Sequence, residues 1–303
     1  MQAGPDPMSG AHKDKVVIVT GASSGLGKTI AVLYAMRGAK ITLCGGHCDV
    51  LEVKQICESL SGYKDDRYIA VEGDIRDPHI RKRIVYDTLK KFNQLDIVVA
   101  NAGVISPYDG GIMSATEQTY SNVMDTNLKA CFFLIQEAVP YLAKSKGNVV
   151  AISSIASQVV AEDITYGMSK AAVDHMVRCL AVELGPMSIR VNAVNPGFLM
   201  TSLYLRQAER VKEATFDPEE ATKSYNEKCE KYESRIQKEA TKQPLGNNTI
   251  ICDGVAEAVS FLSSDEALFI TGQCLFVDAG RKLARFANPR IISSHQPSTS
   301  MDI

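Results

Sequence analysis

Long apolar runs are missing from this sequence: no stretch in its 303 residues approaches the roughly 20 needed to cross a bilayer. Strong charge of either sign is missing too. A formal net charge of −2 gives no basic field with which to hold nucleic acid. Membrane spanning and electrostatic DNA or RNA binding are both disfavoured. The opening residues, MQAGPDPMSGAHKDK, lack the apolar core of a signal peptide, so the eight cysteines read as reduced thiols in a cytoplasmic setting, most of them small core residues. The five histidines are scattered. One local group, Cys44, His47, Cys48 and Cys57, lacks the paired C-x2-C spacing of structural zinc sites, so no metal is expected. His175 lies in a helical pattern and reads as a packing or surface residue, not a catalytic base.

What is present is a rhythm. Apolar runs recur at KVVIV, AKITLC, RYIAVEG, LDIVVANAG, GNVVAISS, IRVNAVNPG and CLFVDAG, and most of the intervals carry helical patterning. Strands apolar on both faces and joined by helices imply a parallel sheet, and right-handed crossovers then give a doubly wound α/β fold with helices on both faces. The chain is 45% hydrophobic and 22% charged, enough for one large domain, placed over residues 13–283. Residues 1–12 and the Pro- and Ser-rich tail 284–303 are expected to be mobile. Residues 202–248 are rich in Lys and Glu and poor in apolar side chains, which reads as helical and exposed.

Two local patterns carry chemistry. The first is TGASSGLGKTIA, Thr20 to Ala31, where Gly21, Gly25 and Gly27 fall as a strand becomes a helix. Glycine there lets the backbone turn tightly and lets a ligand approach it, and a helix N-terminus favours a phosphate. The second is TYGMSK, in which Tyr166 and Lys170 are four apart at the start of a helical pattern, so both side chains lie along one face. A neighbouring ammonium favours the phenolate and brings Tyr166 toward a pKa useful for proton transfer.

With these patterns in hand, the sequence resembles the short-chain dehydrogenase/reductase family from Lys15 to Gly280. The motifs TGASSGLG, GDI at Gly73 to Ile75, NAG at Asn101 to Gly103, ISS with YGMSK, and NPG at Asn195 to Gly197 occur in the family's order. The resemblance implies a single Rossmann-type domain and a reaction moving hydride between a nicotinamide dinucleotide and a carbonyl or alcohol substrate. It implies Tyr166 as proton donor or acceptor, and Lys170 as the group that tunes it and holds the nicotinamide ribose. Ser154 would polarise the carbonyl, and Asn127 would support a water-mediated relay to the lysine. The family's serine commonly lies thirteen residues before the tyrosine; counting favours Ser153 and motif alignment favours Ser154, which is assigned.

For the cofactor, the resemblance implies contacts from Gly21, Ser23, Ser24, Gly25, Leu26 and Gly27 at the turn, Asp74 and Ile75 at the adenine, and Asn101, Ala102 and Gly103 at the central edge. Pro196, Gly197 and Thr201 would close over the carboxamide. Gly45 and Gly46 occupy the positions where the family places Asp or Arg to read the ribose 2'-position. Without a repelling carboxylate the reading is NADP(H), with Ser23, Ser24, Lys28, Gly46 and His47 near the 2'-position and NAD(H) as the alternative. The family also implies a homodimer or homotetramer built on the helices after NAG and TYGMSK. Residues 202–248 would cover the substrate, hinged near Gly197 and at PLGNN. A catalytically silent dinucleotide sensor on the same fold is the alternative, disfavoured because all four catalytic positions are filled. A sugar-nucleotide epimerase is disfavoured by the glycine spacing.

Overall fold

The computed structural model describes residues 10–46, 49–61, 66–106, 111–161, 163–199, 201, 203, 217–246 and 249–286. Seven parallel strands form its centre: β1 (Val16–Thr20), β2 (Lys40–Gly45), β3 (Tyr68–Glu72), β4 (Ile97–Ala100), β5 (Asn148–Ile152), β6 (Arg190–Pro196) and β7 (Cys274–Val277). These are the seven runs picked out by their apolar composition. Their order in the sheet is β3-β2-β1-β4-β5-β6-β7, so the chain reverses direction of winding between β1 and β4. A crevice opens at that point in a doubly wound sheet, beyond the carboxyl ends of the strands.

Period-two alternation divides the sheet between two cores. Val17, Val19, Ile41, Leu43 and Val99 pack against α1 (Gly25–Met36), α2 (Asp49–Ser61) and a later helix, α8 (Cys252–Ser263). Ile18, Cys44, Val98, Val149 and Val191 face the other way, against α3 (Pro78–Phe92), α5 (Ala130–Ser145) and α6 (Ile164–Leu184). Both faces of each central strand are thus dry, which is why these strands read as continuous apolar runs. A short helix α4 (Glu117–Met124) runs into α5 through a π-helical turn, Asp125–Lys129.

Two expectations change. His12 does not stand outside the packed domain: it is fully buried, its ring 4.5 Å from that of Tyr34 and its Nε2 3.0 Å from Ser263 Oγ. The charged segment is helical over α7 (Pro218–Ala240) but not simply exposed. Ala221, Tyr232, Ile236 and Ala240 are buried, a narrow apolar stripe hidden in sequence by the charges around it. Arg281 Nη2 also holds Glu239 from the core side, at 2.6 Å.

Candidate active site

Gly21 follows β1 with φ +63°, and a Cβ there would sit 2.9 Å from Asn101 Nδ2 and 3.0 Å from Ala102 Cα. A Cβ on Gly27 would lie 2.1 Å from the Gly21 carbonyl oxygen. Neither position admits a side chain, so the turn folds tightly onto the segment after β4. That segment is stitched to it. Asn101 Nδ2 donates to the Thr20 carbonyl at 2.9 Å, and Thr20 Oγ1 accepts from the amides of Asn101 and Ala102, each at 3.0 Å. The first turn of α1 carries no acidic side chain, so its helix dipole favours an anion at this end.

The other wall is built from β5 and α6. Asp163 caps α6 by accepting from the Tyr166 amide at 2.9 Å, and the same carboxylate accepts from the Ser106 amide at 2.7 Å, tying the loop after β4 to the helix start. One turn into α6, the Lys170 ammonium donates to the Ile152 carbonyl at 2.8 Å and stands 5.6 Å from the centre of the Tyr166 ring. Burial pushes the Lys170 pKa down to about 8, with Asp174 opposing that shift. Cys131, also buried nearby, is pushed up to about 12 and remains a neutral thiol at neutral pH.

Asn127 lies in the π-helical turn, where its Nδ2 donates to the Val104 carbonyl and to Ser169 Oγ, each at 3.0 Å, and its Oδ1 accepts from the Val104 amide at 2.8 Å. Asn127 Oδ1 and Lys170 Nζ both face Gly103, 3.3 and 3.6 Å from where its Cβ would be. The two serines of ISS differ. Ser153 Oγ donates to the Lys170 backbone carbonyl at 3.1 Å and is tied into α6. Ser154 Oγ accepts from the Ala156 amide at 3.1 Å, which leaves its own proton to be donated.

These walls enclose a cavity of about 180 Å³ at the β1/β4 crossover. Gly21, Ser24, Leu26 and Gly27 line it from the turn, Asn101, Ala102 and Gly103 from the segment after β4, and Ser154, Tyr166 and Lys170 from the β5–α6 side. Pro196 at the end of β6, and Gly197 and Thr201 beyond it, line it from that side. Ser153 contributes as well. The remaining described residues expected to contact the cofactor are not among those that line it. Ser23 is buried under Gly45, Gly25 opens α1, and Ile75 packs in the core with α3. Asp74 lies past β3, where hydrogen bonds from the Arg76 guanidinium hold its carboxyl below the usual range. A Cβ on Gly46 would meet nothing within 4 Å among the described residues. Lys28 Nζ is 3.5 Å from Glu52 Oε1. His47 and Cys48 lie outside the described residues, as do residues 204–216, Asn247 and Asn248 of the covering segment.

Sequence reasoning missed the groups behind the site. Asn195 Nδ2 donates to the Ser154 carbonyl at 3.1 Å and lies 3.0 Å from an oxygen of the buried Asp174 carboxylate. It braces the strand end that carries Ser154. Asp163 and Asp174 are ordinary acids in the sequence, and only the fold brings them beside Tyr166 and Lys170. A second cavity, of about 470 Å³, adjoins the first and shares Ser154, Tyr166 and Gly197 with it; its outer wall is α7.

The short chain dehydrogenase family model matches residues 15–212, and the enoyl-(acyl carrier protein) reductase model matches residues 219–282. Versicolorin reductase 1 of Aspergillus parasiticus is 32% identical over 277 residues, 90% of this chain and 99% of that protein. (+)-Borneol dehydrogenase 2 of Salvia officinalis is 34% identical over 271 residues, 88% of each chain. A short-chain dehydrogenase/reductase of unknown function from Caenorhabditis elegans, solved with cofactor, superposes with a TM-score of 0.76 at 29% identity, covering 90% of this chain and 97% of that one. The chain therefore belongs to the short-chain dehydrogenase/reductase family, and it is a dinucleotide-dependent oxidoreductase acting on carbonyl or alcohol groups.

Proposed function

We propose that Tyr166 gives a proton to, or takes one from, the substrate oxygen, with Ser154 polarising the same atom and NADP(H) as the preferred cofactor. The observation that carries this reading is the convergence of Ser154, Tyr166 and Lys170 on one cavity whose far wall is the glycine turn. The dinucleotide fits this chain: the turn excludes side chains at Gly21 and Gly27, and the α1 N-terminus stands beside it without acidic residues. Gly21, Ser24, Leu26 and Gly27 would hold its phosphates, Asn101 to Gly103 and Lys170 its ribose, and Pro196, Gly197 and Thr201 its carboxamide. When bound, it supplies or accepts the hydride.

The chain's own groups handle charge and protons. As negative charge grows on the substrate oxygen, the Ser154 hydroxyl donates to it, because the Ala156 amide already occupies an acceptor position on Oγ. Tyr166 transfers the proton. The Lys170 ammonium, still mostly protonated at pH 7 with a pKa of about 8, favours the phenolate form. Asn127 holds the Val104 backbone beside that ammonium. The preference for NADP(H) is supported by Gly45 and Gly46 at the end of β2, where no carboxylate repels a 2'-phosphate.

A homo-oligomer in a cytoplasmic setting is part of the same proposal. Phe132 and Phe133 on α5 are 39% and 38% exposed, more apolar surface than a monomer needs to show there. No helix among the described residues is long and apolar enough to cross a membrane. The test is Tyr166→Phe. Turnover should fall by two to four orders of magnitude, roughly the contribution of a positioned acid or base, while dinucleotide affinity measured by fluorescence stays within about twofold. Retention of most of kcat would remove Tyr166 from the mechanism.

A further inference from the structure

One carboxylate joins the two segments that frame the Tyr166 end of the site. A helix cap needs a single acceptor, which a serine or threonine supplies as readily as an aspartate. Asp163 uses both of its oxygens. Oδ1 accepts from the Tyr166 amide at 2.9 Å, and Oδ2 accepts from the Ser106 amide at 2.7 Å, 57 residues away in the chain. The Ser106 hydroxyl adds a third bond, donated to Oδ1 at 3.2 Å. Three donors converge on one side chain, and a carboxylate meets them without a donor of its own, which an asparagine cannot. Ser106 is 2% exposed, so the junction is packed inside the protein.

These bonds complete a ring. The Tyr166 carbonyl accepts from Ser169 Oγ at 2.7 Å, Ser169 Oγ accepts from Asn127 Nδ2 at 3.0 Å, and Asn127 holds both backbone groups of Val104. Val104 leads through Ile105 to Ser106, and Ser106 leads through Asp163 back to Tyr166. Tyr166 is thereby held at its amide and at its carbonyl, and Ile105 is held between two anchored neighbours. Ile105 lines both cavities. Its placement against Tyr166 bounds the space through which a substrate oxygen approaches the phenol. The start of α6 is close-packed on its other side too: a Cβ on Gly167 would lie 3.2 Å from Ala161 Cβ and 3.3 Å from the Ala156 carbonyl oxygen.

We propose that Asp163 is a positioning residue for the reaction: by closing this ring it fixes Tyr166 against the Ile105 wall, and so fixes the pose in which the substrate oxygen meets the phenol. This rests on the reading of Tyr166 as the proton-transfer group. The effect of Asp163 passes through the Tyr166 and Ser106 amides. A support of this kind is what keeps a reacting group within the narrow range of productive geometry, where a displacement of about 1 Å can cost on the order of 100-fold in rate.

Two variants of the full chain separate the cap from the clamp. Asp163→Ala loses both, whereas Asp163→Ser keeps an acceptor for the Tyr166 amide but is too short to reach Ser106. Asp163→Ala should lower the melting temperature by roughly 2–4 °C, and Asp163→Ser should restore it. In both variants kcat should stay at least about tenfold below the parent, with dinucleotide affinity within about twofold, for whichever of 4-nitrobenzaldehyde and 9,10-phenanthrenequinone the parent reduces faster. Amide exchange followed by NMR needs no substrate: Ser106 should lose protection in both variants, and Tyr166 in Asp163→Ala alone. Recovery of kcat together with the melting temperature in Asp163→Ser would make Asp163 a helix cap only, and unchanged exchange at Ser106 would remove the clamp; either result overturns the proposal. Turnover that survives in Tyr166→Phe would instead mark a failure of the catalytic reading, which the exchange at Ser106 keeps distinct.

Discussion

Lys170 and Tyr166 meet with the ammonium 5.6 Å from the centre of the phenol ring, and that ammonium is buried, with the Ile152 carbonyl at 2.8 Å as its hydrogen-bond acceptor. Burying a charge with so little to compensate it costs stability. The return is electrostatic, in a site where few water molecules screen the lysine from the tyrosine.

Lys170→Met should therefore stabilise the fold while abolishing turnover. The lysine titrates at about 8 in the folded chain against 10.5 in the unfolded one. Between those values the unfolded chain binds more protons, so stability rises with pH, and below pH 8 the full penalty is present. At pH 7 the variant should resist urea better by on the order of 1 to 3 kcal/mol, narrowing by pH 10. A variant less stable at pH 7 would show that the ammonium is well compensated where it lies.

Ser154→Ala and Ser153→Ala should separate cleanly. Ser154 offers its proton to the cavity, so its loss should lower kcat on the order of 100-fold, as for other single donors to a developing oxyanion. Ser153 ties β5 to the Lys170 carbonyl, so its loss should cost about 1 kcal/mol of stability with a smaller effect on kcat. Steady-state kinetics and denaturant midpoints on both variants decide the assignment. A larger kcat loss in Ser153→Ala would reverse it.

Much of this was legible in sequence because burial on both faces leaves an unmistakable composition. Val16–Val19, Val98–Ala100 and Val149–Ile152 could be read as buried strands from their residues alone. The glycine turn and the Tyr166–Lys170 pair were legible for a similar reason, since each requires fixed residue types at short spacing. What escaped depends on contacts between distant segments. Nothing local marks His12 as the buried partner of Ser263, 251 residues away, or Asn195 as the brace of Ser154. The buried stripe of α7 escaped because Tyr232, Ile236 and Ala240 are diluted by lysine and glutamate.

His12 should make the protein acid-sensitive. Burial, reinforced by the Arg37 charge, pushes its pKa from 6.5 down to about 4. The unfolded chain binds the proton first as pH falls, so the contribution is complete above pH 6.5 and lost by pH 4, roughly 3 kcal/mol in all. His12→Asn should be less stable at pH 7 yet lose less on acidification over that window. Urea midpoints at half-unit pH steps measure the difference, and parallel curves for the two proteins would place the titrating group elsewhere.

If the ribose 2'-position lies at the end of β2, Gly46 is where a substitution should alter cofactor choice. A Cβ there would meet nothing within 4 Å among the described residues, whereas one at the adjacent Gly45 would lie 2.8 Å from Ser23 Cβ. Gly46→Asp adds a carboxylate at the end of β2, able to accept from a ribose 2'-hydroxyl and to repel a 2'-phosphate. Gly46→Arg reverses the sign. If the 2'-position lies beside Gly46, the first variant should weaken NADPH binding at least tenfold and improve NADH, and the second should favour NADPH, both with unchanged melting temperatures. Dinucleotide titrations followed by nicotinamide fluorescence give the four affinities. Identical values in both variants and the parent would separate Gly46 from the ribose and remove the argument for NADP(H) built on its lack of a side chain.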